Sequence, residues 1–475
     1  MHKTHYKLLA CLMVFLCLII IPTSFAADID ADSIDDTIIS DESLDLAYSV
    51  DSDDDSLDSL NVEDEVLESS ESEDDVLKED YYFDSEADDD GDGTQGNPYK
   101  YLNKSRIENN SVIHLARGVY ELELPAEYAN ITIRGESFSG VIINCNSGVL
   151  SLNGDVTFSN IKLVGQNASQ SIIKINSGSL IFTGYVYFKE ISIIGKDAYQ
   201  SIVRSNNRTI IAYDNFILQN ISMISTPIEN KGNLSASNVI FSNNNRAYGG
   251  AFYSLSNDQN IYLRNCSFYN NSAQYGGAIF LRGANAEIID CEFINNSATL
   301  LYGGAICSES VLDAGTNLTI RNTKFINDKS IGDAGGALYL KAINFNGFNL
   351  TVSDCSSTFG GAFTFLNTNA QVTKLYGFNN TASYDGGVIY QMYGNLTVSD
   401  STFESNNAKN GAGLFISGTQ VLSICNNTFK DNTAMLYAGA MAYLLNNRTN
   451  IKTNVYENNH ASNPDWNDLY YDIVD

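Results

Sequence analysis

The chain has 475 residues and a formal net charge of −30, with 27 Lys and Arg against 57 Asp and Glu, so it carries no electrostatic footprint for nucleic acid or an anionic membrane surface. Its 35 Gly and 5 Pro exclude a collagen-like or Pro-rich linker protein, and 44% hydrophobic residues are enough for a sizeable core. The charge is concentrated: residues 28–92 hold 29 acidic residues against Lys78 alone, which leaves the rest of the chain close to neutral.

Lys3 and Lys7 precede an unbroken apolar run of 14 residues, Leu8 to Ile21, and small residues follow at Ser24, Ala26 and Ala27. This pattern predicts a cleaved secretory signal peptide over 1–27. The alternative, an N-terminal anchor, is disfavoured because the run is shorter than the ~20 residues a spanning helix needs. No second apolar span follows, and the acidic end at 470–475 shows no lipidation signal. Residues 28–80 are Asp, Ser, Glu and Leu with little else, and predict a disordered acidic spacer. The opening segment 81–124 reads as the entry and N-terminal cap of a β-helix. In it Asp88, Asp90 and Asp92 stand at positions 1, 3 and 5 of an EF-hand-like loop with Gly93 at 6, but Tyr99 replaces the acidic residue at 12. Ca²⁺ is the candidate ion there, and the other reading is an Asp/Gly-rich turn. No cofactor is otherwise required.

Residues 125–462 are repetitive. Gly-Gly pairs stand at Gly249-Gly250, Gly276-Gly277, Gly303-Gly304, Gly335-Gly336, Gly360-Gly361 and Gly386-Gly387, at steps of 25–32 residues. Two looser copies follow at Gly411-Ala412-Gly413 and Ala438-Gly439-Ala440, and a second mark recurs at a similar step, a Phe with Asn two or three places on: Phe241, Phe268, Phe293, Phe325, Phe403, Phe429 and, in the last copy, Tyr456. The copy expected near 355 is contracted to Cys355–Phe359. The stretch 150–235 repeats with a different consensus and a period of 30, as in Gln170-Ser171-Ile172-Ile173 and Gln200-Ser201-Ile202-Val203. Apolar pieces are three or four residues long, several alternate with polar residues, and Asn, Gly, Ser and Asp punctuate them, so the repeats read as short strands and turns. No 3.6-residue stripe persists, which excludes helical repeats, and a period near 26 disfavours ~40-residue propeller blades. The predicted fold is all-β: a single-stranded right-handed parallel β-helix, a solenoid of pectate-lyase-like architecture, with about 14 coils stacked ~4.8 Å apart. Phe then stacks inside, Asn occupies left-handed corners, and Gly-Gly permits sharp turns. Residues 463–475 are a tail or C-terminal cap.

The Gly-Gly-Ala-Ile and Phe-x-x-Asn pair resembles the repeat of the chlamydial polymorphic outer membrane proteins. The layout of signal, acidic stretch, opening segment Tyr82–Lys100 and β-helix repeats is similar to that of the adhesin-like proteins of methanogenic archaea. The resemblance implies a secreted or cell-surface, non-catalytic adhesin whose partners are surface glycans or proteins of other microbes or host cells. A structural cell-envelope protein and a carbohydrate-active enzyme are the alternatives. Against the enzyme, there is no Gly-His-Gly element, only His114 and His460 remain past the signal, and Asp290, Asp313, Asp354 and Asp400 are scattered singly.

Three further groups are candidates. Tyr248, Tyr275 and Tyr302 recur just before the Gly-Gly pairs, where exposed rings would stack on sugars; the alternative is turn packing. Cys266 and Cys291 both lie two residues before the repeat Phe, a column continued by Thr323, Cys355 and Ser401. They are a candidate disulfide, or part of a small-residue ladder. About 16 Asn-x-Ser/Thr sequons, among them Asn130, Asn265, Asn270, Asn295, Asn379 and Asn426, offer glycosylation sites in an exported chain.

Overall fold

A computed structural model describes residues 79–471, apart from 123–125, 138–139, 206–208, 256, 258 and 312–314. The expected signal peptide and all but the last two residues of the acidic spacer lie outside the described residues. The described chain is a β-solenoid, a parallel β-helix of about 14 turns. Its strands form one continuous 36-stranded sheet and a second sheet of eight strands, and every strand pairing is parallel with a partner one coil away. No α-helix occurs among the described residues.

The two repeat consensuses correspond to two coil designs. From Asn245 onward each coil gains an extra short strand, beginning with Asn245–Tyr248 and repeated in Ser272–Tyr275, and these build the eight-stranded sheet. The Gly-Gly pairs follow these strands. The first Gly of each pair holds a positive φ, 50° at Gly249 and 60° at Gly276, which glycine adopts without penalty. The second Gly answers a different need. A Cβ on Gly277 would lie 2.0 Å from the carbonyl oxygen of Gly304 in the next coil, so the coils touch backbone to backbone there.

The interior is set by side-chain columns. Phe241, Phe268, Phe293 and Phe325 are in register and fully buried, with ring centroids 4.8, 4.5 and 5.0 Å apart and nearly parallel planes. The contracted copy resolves differently from the expectation at Cys355–Phe359. Val352 pairs with Phe325 and Gly377 with Val352, before Phe403 and Phe429 resume the column. The lost volume is replaced from the neighbouring strand by buried Phe363 and Phe365, with Phe363 edge-on to Phe325 at 6.0 Å. Val388 also stands where earlier coils have Ala, and its methyl groups come within 3.0 Å of where a Cβ on Gly377 would be. Volume is conserved across coils, as close packing requires.

Asn serves two columns, which explains the two-or-three spacing. Two residues after the Phe, Asn243, Asn270, Asn295 and Asn327 take φ of 53–58° at exposed corners. Three residues after it, Asn244, Asn271 and Asn296 are buried and linked coil to coil, the Nδ2 of one donating to the Oδ1 of the next at 2.7–3.0 Å. Each inner amide also donates to a carbonyl below, Asn271 to Phe241 and Asn296 to Phe268, both at 3.0 Å. Asp328 and Cys355 interrupt this row, and Asn380, Asn406, Asn432 and Asn459 resume it. Stacked amides of this kind satisfy buried polar groups that would otherwise be costly.

At the C-terminal end, Leu469–Tyr471 pairs with Met441–Tyr443, and Trp466 packs edge-on against Tyr437 and Tyr470 at 4.8 and 5.2 Å.

Candidate binding surface

The opening segment does not gather its carboxylates. Asp90 forms a two-pronged ion pair with Arg106, one contact being Nη2 to Oδ2 at 2.5 Å, and it also accepts the Lys100 N–H at 3.0 Å. The Arg106 hydrogen bonds hold the Asp90 carboxyl below its ordinary value. Arg106 lies over the Tyr99 ring at 4.6 Å. Asp92 accepts the hydroxyl and N–H of Thr94 at 2.8 and 3.1 Å, which lowers its pKa as well. Asp88 makes no ion pair, and no group of three metal-ligating residues exists among the described residues. The internal cation Arg106 takes the place beside Asp90 that a loop-bound ion would need.

Tyr248, Tyr275 and Tyr302 do form one column, but they face inward onto their neighbours. Tyr248 and Tyr275 stack at 5.3 Å, Tyr302 stacks on buried Tyr339 at 4.2 Å, and Phe280 fills the angle between Tyr248 and Tyr275. Phe280, Tyr302, Cys307, Ala334 and Tyr339 make a second apolar cluster outside the main core. It lies in the corner opened by the Gly-Gly turn. Only Tyr248, at 37% exposure, offers a substantial free face, while Tyr302 is 8% exposed and burial raises its phenol pKa. The column is chiefly turn packing.

Cys266 and Cys291 stand on adjacent coils as free thiols, the Cys266 N–H pointing at the Cys291 Sγ at 3.4 Å. Cys291 N–H in turn donates to Thr323 Oγ1 at 3.3 Å. The small polar side chains of this column thus receive a backbone N–H from the coil before. Cys355 is not a member, contrary to the spacing. It belongs to the buried amide row, where its N–H donates to Asn380 Oδ1 at 3.1 Å, and Leu350 and Leu375 occupy the column instead before Ser401.

The scattered acids have structural roles. Asp290, Asp354 and Asp400 hold φ of 54–59° at corners and accept amide N–H groups from Asn322, Asn379 and Asn426 of the next coil. Asp313 lies outside the described residues. The sequons likewise follow from the fold. In Asn270-Asn271-Ser272 the first Asn is an exposed corner, the second an inner ladder amide and the Ser the start of a strand. His114 stacks on Tyr82 at 4.6 Å with its Nε2 2.9 Å from Asp80 Oδ1 at the exposed entry strand.

Residue spacing missed a fourth column. Asn233, Asn260, Asn285, Asn317, Asn344 and Asn369 stand in register on successive coils and form an outward amide row. Beside it runs an outward column of Ser235, Tyr262, Glu287, Thr319, Asn346 and Gln371. Asn-Leu-Ser/Thr triplets at 233, 317 and 395 were its signal in the sequence. This face is a broad lattice of hydrogen-bonding groups, mostly neutral amides and hydroxyls with Glu287 among them.

Parallel coils with inward Phe and amide columns and outward polar ladders define a β-solenoid repeat protein. The Chlamydia polymorphic membrane protein (Chlamydia_PMP) repeat model matches residues 265–282 and 290–309. These are two successive coils, each running from the strand of a ladder Phe (Phe268, Phe293) past its Gly-Gly turn. The chain therefore carries repeats of the polymorphic membrane protein type. No curated protein and no solved structure matches the chain. No helix among the described residues is long and apolar enough to cross a membrane.

Proposed function

We propose that this chain is a secreted or cell-surface, non-catalytic adhesin, a rigid β-helix that presents polar ladders to glycans or proteins of neighbouring cells. The observation that carries the reading is the coincidence of polymorphic-membrane-protein repeats with the outward ladder face. Repeats of that family fit a surface, adhesin-like role. The leader pattern at 1–27 and the acidic 28–80 stretch support export and a spacer that holds the rod off its surface. The paired states of Asp90, Asp290, Asp354 and Asp400 support a scaffold role for the acids over catalysis.

The test is retention of microbial and host cells by beads coated with the full chain, with and without EDTA. Saturable retention of particular cell types is expected, unchanged by EDTA because Arg106 already neutralises Asp90. Failure to retain any cell type contradicts adhesion. Loss in EDTA restores Asp88, Asp90 and Asp92 as a Ca²⁺ site.

A further inference from the structure

One groove on the outward face differs from the rest of the lattice. It has a volume of about 420 Å³ and opens over three successive coils. Its floor is the strand segments 215–217, 233–235 and 260–262, which lie in register. One end is closed by the turn at Asn167–Ser169, which stands out from the coil before.

Glu190 fixes that end. It sits at a corner with φ 52°, a left-handed conformation that most other corners give to Asn or Asp. The conformation turns its carboxylate so that one oxygen accepts the Ala168 N–H at 3.0 Å and the other accepts Asn215 Nδ2 at 2.7 Å. Asn233 Nδ2 donates to Asn215 Oδ1 at 3.2 Å, and Asn233 Oδ1 accepts the Asn260 N–H at 2.9 Å. A fixed carboxylate–amide–amide chain thus runs along one wall.

The amide of Asn260 and the hydroxyls of Ser169, Ser235 and Tyr262 have no hydrogen-bond partner among the described residues. They line the same groove. Half-buried Ile217 gives its floor an apolar patch above the core residues Phe216 and Leu234, and the half-exposed Tyr262 ring stands at its side. Its one charge, Glu190, is already answered by neutral donors.

We propose that this groove is the glycan-binding site of the rod and takes one or two rings of a neutral oligosaccharide. A pyranose offers an apolar C–H face to Ile217 and the Tyr262 ring, and hydroxyl edges to the unpartnered amide and hydroxyls. The pre-ordered wall lets these groups bind without further ordering. The only charge in its lining, the Glu190 carboxylate, disfavours anionic sugars. The proposal rests on the adhesin reading and deepens it, moving the sugar-facing role from Tyr248, Tyr275 and Tyr302 to Tyr262, Ser235 and Asn260.

The test is saturation-transfer NMR on the full chain with a panel of neutral di- to tetrasaccharides of glucose, galactose, mannose and N-acetylglucosamine. Transfer to at least one of them is expected. Ser235→Arg, an exposed change that fills the groove, should weaken it at least tenfold, as should Tyr262→Ala. Gln371→Arg, in the same outward column far from the groove, should leave it unchanged. Absence of transfer from every sugar, or equal transfer in Ser235→Arg, overturns the proposal. The bead assay separates the two readings. Cell retention that survives Ser235→Arg removes the groove and keeps the adhesin. Sugar binding without any cell retention keeps the groove and removes adhesion.

Discussion

Asp328 places a carboxyl in the buried amide row, and replacing it with Asn should stabilise the rod. Its Oδ1 accepts both the N–H and the Nδ2 of Asn296, at 2.8 and 2.9 Å. Its Oδ2 stands where the Asn members of the row have an amide NH₂, and it has no partner. By the rule of the row, that group should donate to the carbonyl of Phe293, and an ionised oxygen cannot. Burial accordingly raises the Asp328 pKa from 3.8 to about 8. The folded state binds a proton that the unfolded chain releases above about pH 4, so stability falls as pH rises from about 4 to 8 and then levels off. At ~1.36 kcal/mol per pKa unit, the burden is about 4 kcal/mol at pH 7. Asp328→Asn supplies the missing donor and removes the titration. Urea unfolding of both proteins from pH 4 to 9 should show near-equal stability at pH 4. The variant's advantage should then grow to several kcal/mol by pH 8. Asp333 and Asp385, each raised to about 6 by burial, cancel in the comparison. A difference that does not change with pH, or a variant less stable than the parent at pH 8, would refute the reasoning.

Gly277→Ala drives a methyl group into the Gly304 carbonyl and should separate the coils there, seen as new protease cleavage between Tyr275 and Gly304; an unchanged digest would contradict the backbone contact. Phe293→Ala empties the centre of a three-ring stack and should cost about 3–5 kcal/mol in chemical denaturation. A loss under about 1 kcal/mol would show the column to be loosely packed. Alkylation of the native protein should modify Cys425 well before Cys145, Cys266, Cys291, Cys307 and Cys355, because among the six described cysteines only Cys425 is not buried. Burial also pushes the Cys145 thiol up to about 12. Equal labelling by peptide mass mapping would overturn that order.

Much of the coil was legible because each turn repeats the same physical demands. Gly-Gly marks a positive φ followed by a backbone contact, and Phe marks the inner stack. Where one demand is met by different residues, the pattern failed. Val352 and Gly377 carry no Phe signature, since Phe363, Phe365 and Val388 fill their space from another strand. Cys355 sits 64 residues after Cys291 at a plausible step, yet the missing Phe hid a shift of register into the amide row. Tyr248, Tyr275 and Tyr302 share one column, but Phe280 and Tyr339, which face Tyr248 and Tyr302, come from the strands after the Gly-Gly turns of the following coils and determine which way the rings face. The groove was hidden for a related reason. Asn167, Glu190, Asn215, Asn233 and Asn260 are far apart in sequence, and only coil stacking brings them into one wall.

Adhesion itself is tested most directly on the producing cells. Antibody raised against the rod should stain them without permeabilisation, and cells lacking the chain should capture several-fold fewer partner cells than cells displaying it. Equal capture with and without a chain shown to be at the surface would contradict the adhesin reading.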